Sequence, residues 1–308
     1  MTKNKFGRPK KRNLNQQEVA KFLHSIHFKV DRIEQLWRHL LAFGEYQHTP
    51  AVFKLASTQE TAKRTVNEFY WNDAVNHLHP PDFVVPLNLS SGHYGKLFYF
   101  IAQQFTGQPL VLPQSSDVSR IETKISQIAR ISRSIELLVF PEKSTLSQYQ
   151  QTKNTLPIGH KLLASASEWA SQVPRDLTDF IKVIVQAKDD LRTGPAHGDF
   201  VGRQMYLVNH TIGLIDGEHA GIRGPLHYDV AQFYIRLRHD HLAPGLATDY
   251  LRYFKKLLSL PDQKIFWDEL KPVLTQRYLG DLWGAAASPS KLEFLKPLGQ
   301  EILTNSVI

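Results

Sequence analysis

The chemistry of this chain is concentrated in one stretch, PAHGDFVGRQMYLVNHTIGLIDGEHAG, residues 195–221. It holds His197, Asp199, Gln204, Asp216 and Glu218. Two aspartates and a side-chain amide offer the hard oxygen ligands that Mg²⁺ takes. Between them MYLV (205–208), the turn NHT and IGLID (212–216) read as a β-hairpin, two apolar runs around a tight turn. A hairpin brings its two ends together. Asp199, in the loop that enters it, and Asp216, at its exit, are therefore expected to approach one point. Loops at strand ends suit this work because a rigid scaffold fixes them.

The elements that must position this pair fall into two kinds. Val19, Phe22, Leu23 and Ile26 mark a helix. Strand-like pieces follow at 30–37, 40–46 and 51–56, the last being AVFKLA with Lys54 inside it. A helix is expected over 58–76, carrying Glu68, and two further strands at Phe83–Leu87 and in LFYFIAQQF, 97–105. The first part thus reads as a small sheet with one or two helices. TGQPL, 106–110, is a turn-rich connector. Beyond it helices dominate. They are marked by Ile121 to Ile135, Leu162 to Val173, Leu177 to Val185, Val230 to Leu237, Leu246 to Leu258, Lys264 to Ala287 and Lys291 onward. The stretch 141–160 reads as a polar loop, and Pro272 is expected to kink or break its helix. No internal repeat is visible.

Composition bounds the rest. The 308 residues are 42% hydrophobic and 21% charged, as in an ordinary globular protein, and include no cysteine. That excludes thiolate metal sites, cysteine nucleophiles and disulfides, and it fits a reducing compartment. No run reaches the ~18 apolar residues of a membrane span, and no apolar run follows the basic N-terminus, so a cytoplasmic location is expected. The net charge is +8, but Lys3, Lys5, Arg8, Lys10, Lys11 and Arg12 supply six of these charges, leaving +2 on the remainder. Residues 1–14 read as a disordered basic tail. Its GRPKK partly matches a minor-groove hook, which points to weak, non-specific nucleic-acid contact. The 14 histidines show no zinc-binding spacing such as H-E-x-x-H.

The run H-G-D-F-x-x-x-Q followed by I-D-x-E resembles the aminoglycoside phosphotransferase and choline kinase-like family. Those proteins carry H-G-D-x-x-x-x-N and then I-D-[WF]-[ED]. GPLHYDVA, 224–231, is similar to the segment that opens their next helix, AVFKLA to their lysine-bearing third strand, NEFYW to the helix that pairs with it, and FIAQQFTGQPL to their hinge. The resemblance runs over about residues 30 to 240.

It implies an α+β, bilobal protein-kinase-like fold, with a nucleotide-binding N-lobe over 15–105 and a mostly helical C-lobe over 106–308. It also implies ATP and Mg²⁺ as cofactors and a small-molecule hydroxyl as acceptor. Asp199 would orient that hydroxyl and take its proton, with His197 bracing the loop. Asp216 and Gln204 would hold the metal. Lys54, steered by Glu68, would pair with the phosphates, and backbone from Ala102 to Gln104 would meet the adenine. Phosphoryl transfer needs positioning and charge neutralisation, which is what these residue types supply.

The chain departs from the family pattern in three places. Gln204 stands for Asn, Gly217 stands for an aromatic, and LWRHLLAFGEY, with Gly44 alone, replaces a Gly-rich loop. Arg203 is a candidate for compensating charge at the phosphates. These departures leave open a weak or inactive kinase-like regulator that binds nucleotide, and the tail leaves open a nucleic-acid-associated role. Simpler roles stand beside the functional ones: an edge lysine for Lys54, a surface charge for Glu68, a loop brace for Glu218, a helix cap or catalytic-loop acceptor for Asp229, and core packing for Trp267 and Trp283. Residues 217–308 hold ten acidic and eleven basic side chains, so no acidic bias for a polycationic acceptor is present.

Overall fold

The computed structural model describes residues 13–112, 115–151 and 156–307. The expected basic tail lies, over residues 1–12, outside them. Asn15 opens α1 (Gln16–Ser25) by accepting the Gln17 and Glu18 N–H groups. Three antiparallel strands follow: β1 (Phe28–Gln35), β2 (His39–Tyr46) and β3 (Thr49–Ala56). Thr58 caps α2 (Gln59–Leu78), which ends on His79 in the left-handed region. Then come β4 (Phe83–Val84), β5 (Asn88–Tyr94) and β6 (Leu97–Gln103).

The main sheet has the order β1-β2-β3-β6-β5. Alternation along β3 decides what each residue does. Ala51, Phe53 and Leu55 are buried in a first core with Val19 and Leu23 of α1, while Val52 and Lys54 face the opposite way.

The helical part comprises α3 (Ser119–Glu136), α4 (Thr145–Gln151), α5 (Ile158–Ala170) and α6 (Thr178–Ala187), then β7 (Thr193–Ala196), β8 (Met205–Val208), β9 (Thr211–Leu214) and β10 (Gly221–Pro225), and finally α7 (Tyr228–His239), α8 (Pro244–Lys256), α9 (Leu260–Ala285) and α10 (Pro289–Thr304). The hairpin β8–β9 turns on Asn209 and His210, both at positive φ, the geometry that suits the twist of a two-residue turn. β7 and β10 pair antiparallel and embrace the loop between Ala196 and Met205. This is the α+β, bilobal protein-kinase-like architecture. No helix among the described residues is long and apolar enough to cross a membrane.

Four local expectations are corrected. Phe83–Leu87 is not a strand of the first sheet. Only Phe83 and Val84 are extended, and they pair parallel with β9. The stretch 141–160 is not a loop throughout, since it holds α4 and the start of α5. Pro272 does not break α9, which runs through it for 26 residues. Burial of Phe266, Leu270, Val273, Leu274 and Leu279 in the second core outweighs the ~3 kcal/mol cost of an interior proline. Gly44 is not in a turn. It lies in β2 beside the β1 irregularity at Val30–Arg32, where a Cβ would fall 2.0 Å from the Lys29 carbonyl oxygen.

Packing also crosses the division expected at 105/106. Trp71, Val75, Phe83 and Val85 belong to the second, larger core. The helix carrying Glu68 is therefore anchored on the helical part.

Candidate active site

Lys54 comes from β3, Glu68 from the second and third turns of α2, and Asp216 from the end of the β8–β9 hairpin. The Lys54 ammonium donates to Glu68 Oε2 at 2.5 Å and to Asp216 Oδ1 at 2.6 Å. Burial alone would push the lysine pKa down, but the two carboxylates overcome this and raise it. Burial likewise pushes Asp216 up, and Lys54 more than offsets it, so Asp216 stays ionised. Glu68, buried and sharing its lysine with Asp216, is pushed up to about 7.

Pairing of Met205 with Leu214, and the bond from Ile215 N–H to the Gln204 carbonyl, set Gln204 beside Asp216. The Gln204 amide nitrogen lies 3.0 Å from Asp216 Oδ2 and 3.3 Å from Asp199 Oδ2. The extra methylene therefore lets one amide span both aspartates. Turning the amide over would present its oxygen to a cation between them. No group of three or more His, Cys, Asp and Glu side chains that could hold a metal occurs among the described residues. The oxygen-rich trio of Asp199, Gln204 and Asp216 suits Mg²⁺, which needs few protein ligands when phosphates supply the others.

The loop itself is held from below. Buried Asp229 accepts the N–H groups of His197 at 2.6 Å and Gly198 at 2.9 Å, and burial pushes its pKa up to about 7. It holds the His197–Gly198 backbone rather than capping α7. His197 is buried, and its ring packs edge-on against Trp71 and Phe200. Burial lowers its pKa, which keeps it neutral near pH 7.

A cleft of about 340 Å³ opens in front of Lys54, lined by Val52, Phe100, Ala102, Gln104, Tyr206 and Ile215 among others. The expected hinge residues Ala102 and Gln104 are among those that line it. The N–H groups of Gln103 and Gln104 are already bonded to Leu87 O and Pro50 O. The strand ladder has claimed these donors, and what remains to offer a base is carbonyl oxygen and the next N–H, that of Phe105. Arg203 does not line this cleft. It lines a separate pocket with Arg236 and His241. Trp283 is not wholly core. It packs on the second core, stacks on Trp169 and borders another pocket, while Trp267 packs against the same core and donates to Asn305.

Sequence reasoning missed three features. The β1–β2 turn is Leu36, Trp37 and Arg38 and contains no glycine. Arg38 ion-pairs with Glu218, whose side chain is only 1% exposed, and His39 Nε2 lies 3.7 Å from the same carboxyl group. Glu218 is thus the brace that was expected, but its partner crosses from the sheet. The aromatic missing at Gly217 is supplied by Trp71, whose Cδ1 would lie 2.6 Å from a Cβ on Gly217. Finally, Gln150 of α4 donates to Asn67 Oδ1 and to the Ala220 carbonyl, both at 2.9 Å, and accepts the Ile222 N–H. Asn67 also donates to the Ala220 carbonyl. Only Arg38 had any signal, as a cation in the turn where a phosphate loop was sought.

No family model and no curated protein sequence matches the chain. Solved structures do. Aminoglycoside phosphotransferase APH(4)-Ia superposes with a TM-score of 0.63 over 94% of this chain and 99% of its own, at 16% identity. The GDP and kanamycin complex of APH(2")-IIia gives 0.63 over 94% and 99%, at 14% identity. A thermostable mutant of APH(4)-Ia in a ternary complex with ADP and hygromycin B gives 0.63 over 92% and 97%, at 15% identity. The chain has the fold of the aminoglycoside phosphotransferases over nearly its whole length.

Proposed function

We propose that this protein transfers the γ-phosphoryl group of Mg-ATP to a hydroxyl of a small molecule. One observation carries the reading. Lys54 is held between Glu68 and Asp216 while Gln204 bridges Asp216 to Asp199, and Lys54, Glu68, Gln204 and Asp216 line a cleft of about 340 Å³. The base would lie between Val52 and Ala102 above and Tyr206 and Ile215 below, and the triphosphate would run toward Lys54. Lys54 would meet the α- and β-phosphates, with Glu68 fixing its approach. Asp216 and Gln204 would hold Mg²⁺, which when bound neutralises charge on the phosphate oxygens. Asp199 would accept a hydrogen bond from the acceptor hydroxyl and take its proton as the new O–P bond forms and ADP departs.

The resemblance in fold supports this reading, and so does the finding that two departures from the family sequence are accommodated. Gln204 reaches both aspartates, and Trp71 fills the space over Gly217. Calorimetric titration with ATP, with and without Mg²⁺, tests it. Binding should require Mg²⁺ and should weaken at least tenfold in Asp216→Asn. Metal-independent binding that survives this substitution would refute the assignment.

A further inference from the structure

The catalytic loop has a second face. Gln204 turns toward the nucleotide cleft, whereas its neighbours Val201, Gly202 and Arg203 line a pocket of about 150 Å³ on the helical side. That pocket shares Arg236 and Asp240 with a larger one of about 660 Å³, which also takes in His239, Asp281 and Lys291. The two adjoin at these residues and are together called the groove. Asp199 belongs to the same loop, two residues before Val201, and its carboxylate lies 3.3 Å from the Gln204 amide.

The charges along the groove are not balanced. Both carboxylates are already engaged. Asp281 receives Arg236 at 2.9 Å and His239 at 2.6 Å, and Asp240 receives Arg236 at 3.2 Å. Arg203 and Lys291 have no carboxylate partner among the described residues. A cationic ligand entering the groove would have to displace Arg236 or His239 from a carboxylate. An anionic ligand would meet a free guanidinium at the catalytic loop and a free ammonium further out, and a guanidinium binds carboxylate or phosphate through paired hydrogen bonds.

We infer that the acceptor is a polyhydroxy compound bearing an anionic group, carboxylate or phosphate, seated by Arg203 beside Asp199. This rests on the phosphotransferase reading and sets the chain apart from neighbours whose complexes hold kanamycin and hygromycin B, both cationic.

The test is binding of four matched probes to the full chain with saturating Mg-ADP, followed by ligand-observed NMR at low salt. The probes are D-gluconate, D-glucose 6-phosphate, D-glucose and D-glucosamine. At least one of the two anions should saturate at least tenfold more tightly than glucose and glucosamine, and the tighter one identifies carboxylate or phosphate as the recognised group. Arg203→Gln should weaken it tenfold or more, with Mg-ADP affinity unchanged, and Arg203→Glu should abolish it. Arg203 is exposed, so neither change threatens folding. Failure of both anions to saturate, equal binding of glucose, tighter binding of glucosamine, or anion binding unaltered by Arg203→Gln would each overturn the inference. Failure of Mg-ADP to bind at all would count instead against the phosphotransferase reading.

Discussion

Trp71, on α2, occupies the space that Gly217 leaves open beside Asp216. A Cβ on Gly217 would fall 2.6 Å from the indole Cδ1. The aromatic that the sequence resemblance leads one to expect at Gly217 stands instead on the facing helix. The same indole packs against His197 and belongs to the larger core. The loops of Asp216 and His197 and the helix of Glu68 therefore meet on one side chain.

This relationship predicts coupling. Trp71→Ala should cost ~3–5 kcal/mol, as for other large buried aromatics. Gly217→Phe should also destabilise, because the ring has no room. The double variant Trp71→Ala/Gly217→Phe should be more stable than the sum of the two by ~1–3 kcal/mol. Urea denaturation of the three variants checks this, and additive losses would show that the two positions do not share one space.

Arg38 and Glu218 tie the β1–β2 turn to the metal loop. The carboxylate is almost fully buried, so Arg38→Ala should cost ~1–3 kcal/mol by leaving it with only the His219 and His39 rings beside it. Adding Glu218→Gln should recover part of the loss, because the stranded charge is gone. Thermal denaturation of both variants measures this. No recovery in the double variant would mean that Arg38 acts through some other contact.

His227 gives a pH dependence. Its ring is held 2.8 Å from Glu136 and 3.5 Å from Glu269. Burial alone would lower its pKa, but the hydrogen bond to Glu136 and the charges of the two glutamates raise it above the ordinary value. A raised histidine binds its proton more tightly in the folded state. Its stabilisation is complete below the unfolded value of ~6.5 and is lost as pH rises through the folded value. Asp229, raised to about 7, also makes stability fall with pH, but over the range from ~4 to 7. The two windows are therefore separable. Melting temperature should decline as pH rises above ~6.5, and His227→Gln should lower it at pH 6 and flatten that decline. An unchanged slope would remove His227 from the explanation.

How much of this was legible in the sequence depends on the range of the interaction. The hairpin around Asn209–His210, its aspartates and the Lys54 strand were readable, because periodicity and turn chemistry act locally. β5, with the sequence NLSSGHY, was not readable. It is polar and earns its place only by pairing with β6. β7 and β10 are four and five residues rich in Gly and Pro, and no local pattern marks them. The contacts from Arg38 to Glu218, from Trp71 to Gly217 and from Gln150 to Asn67 span 83 to 180 positions of chain, and no single-sequence signal connects such pairs. Gln204 could be read as a metal-site amide from the family pattern, but its reach to both aspartates could not.

That reach makes a prediction of its own. Gln204→Ala should weaken Mg²⁺-dependent ATP binding at least tenfold. Gln204→Asn should not improve on the native residue, since its arm is ~1.5 Å shorter and Mg²⁺ tolerates little misplacement. Calorimetry on the two variants decides it, and unchanged affinity in Gln204→Ala would take Gln204 out of the metal site.

The central claim is phosphoryl transfer with Asp199 at the acceptor. Its most direct test is to follow label from [γ-³²P]ATP into a panel of hydroxylated metabolites, for the native protein and for Asp199→Asn. Label should appear in a small-molecule product with the native protein. With Asp199→Asn the rate should fall by ~10²–10⁴, the usual contribution of a positioned acid–base group, while Mg-ATP affinity stays within a few-fold. Transfer that continues at the native rate without the Asp199 carboxylate would contradict the account.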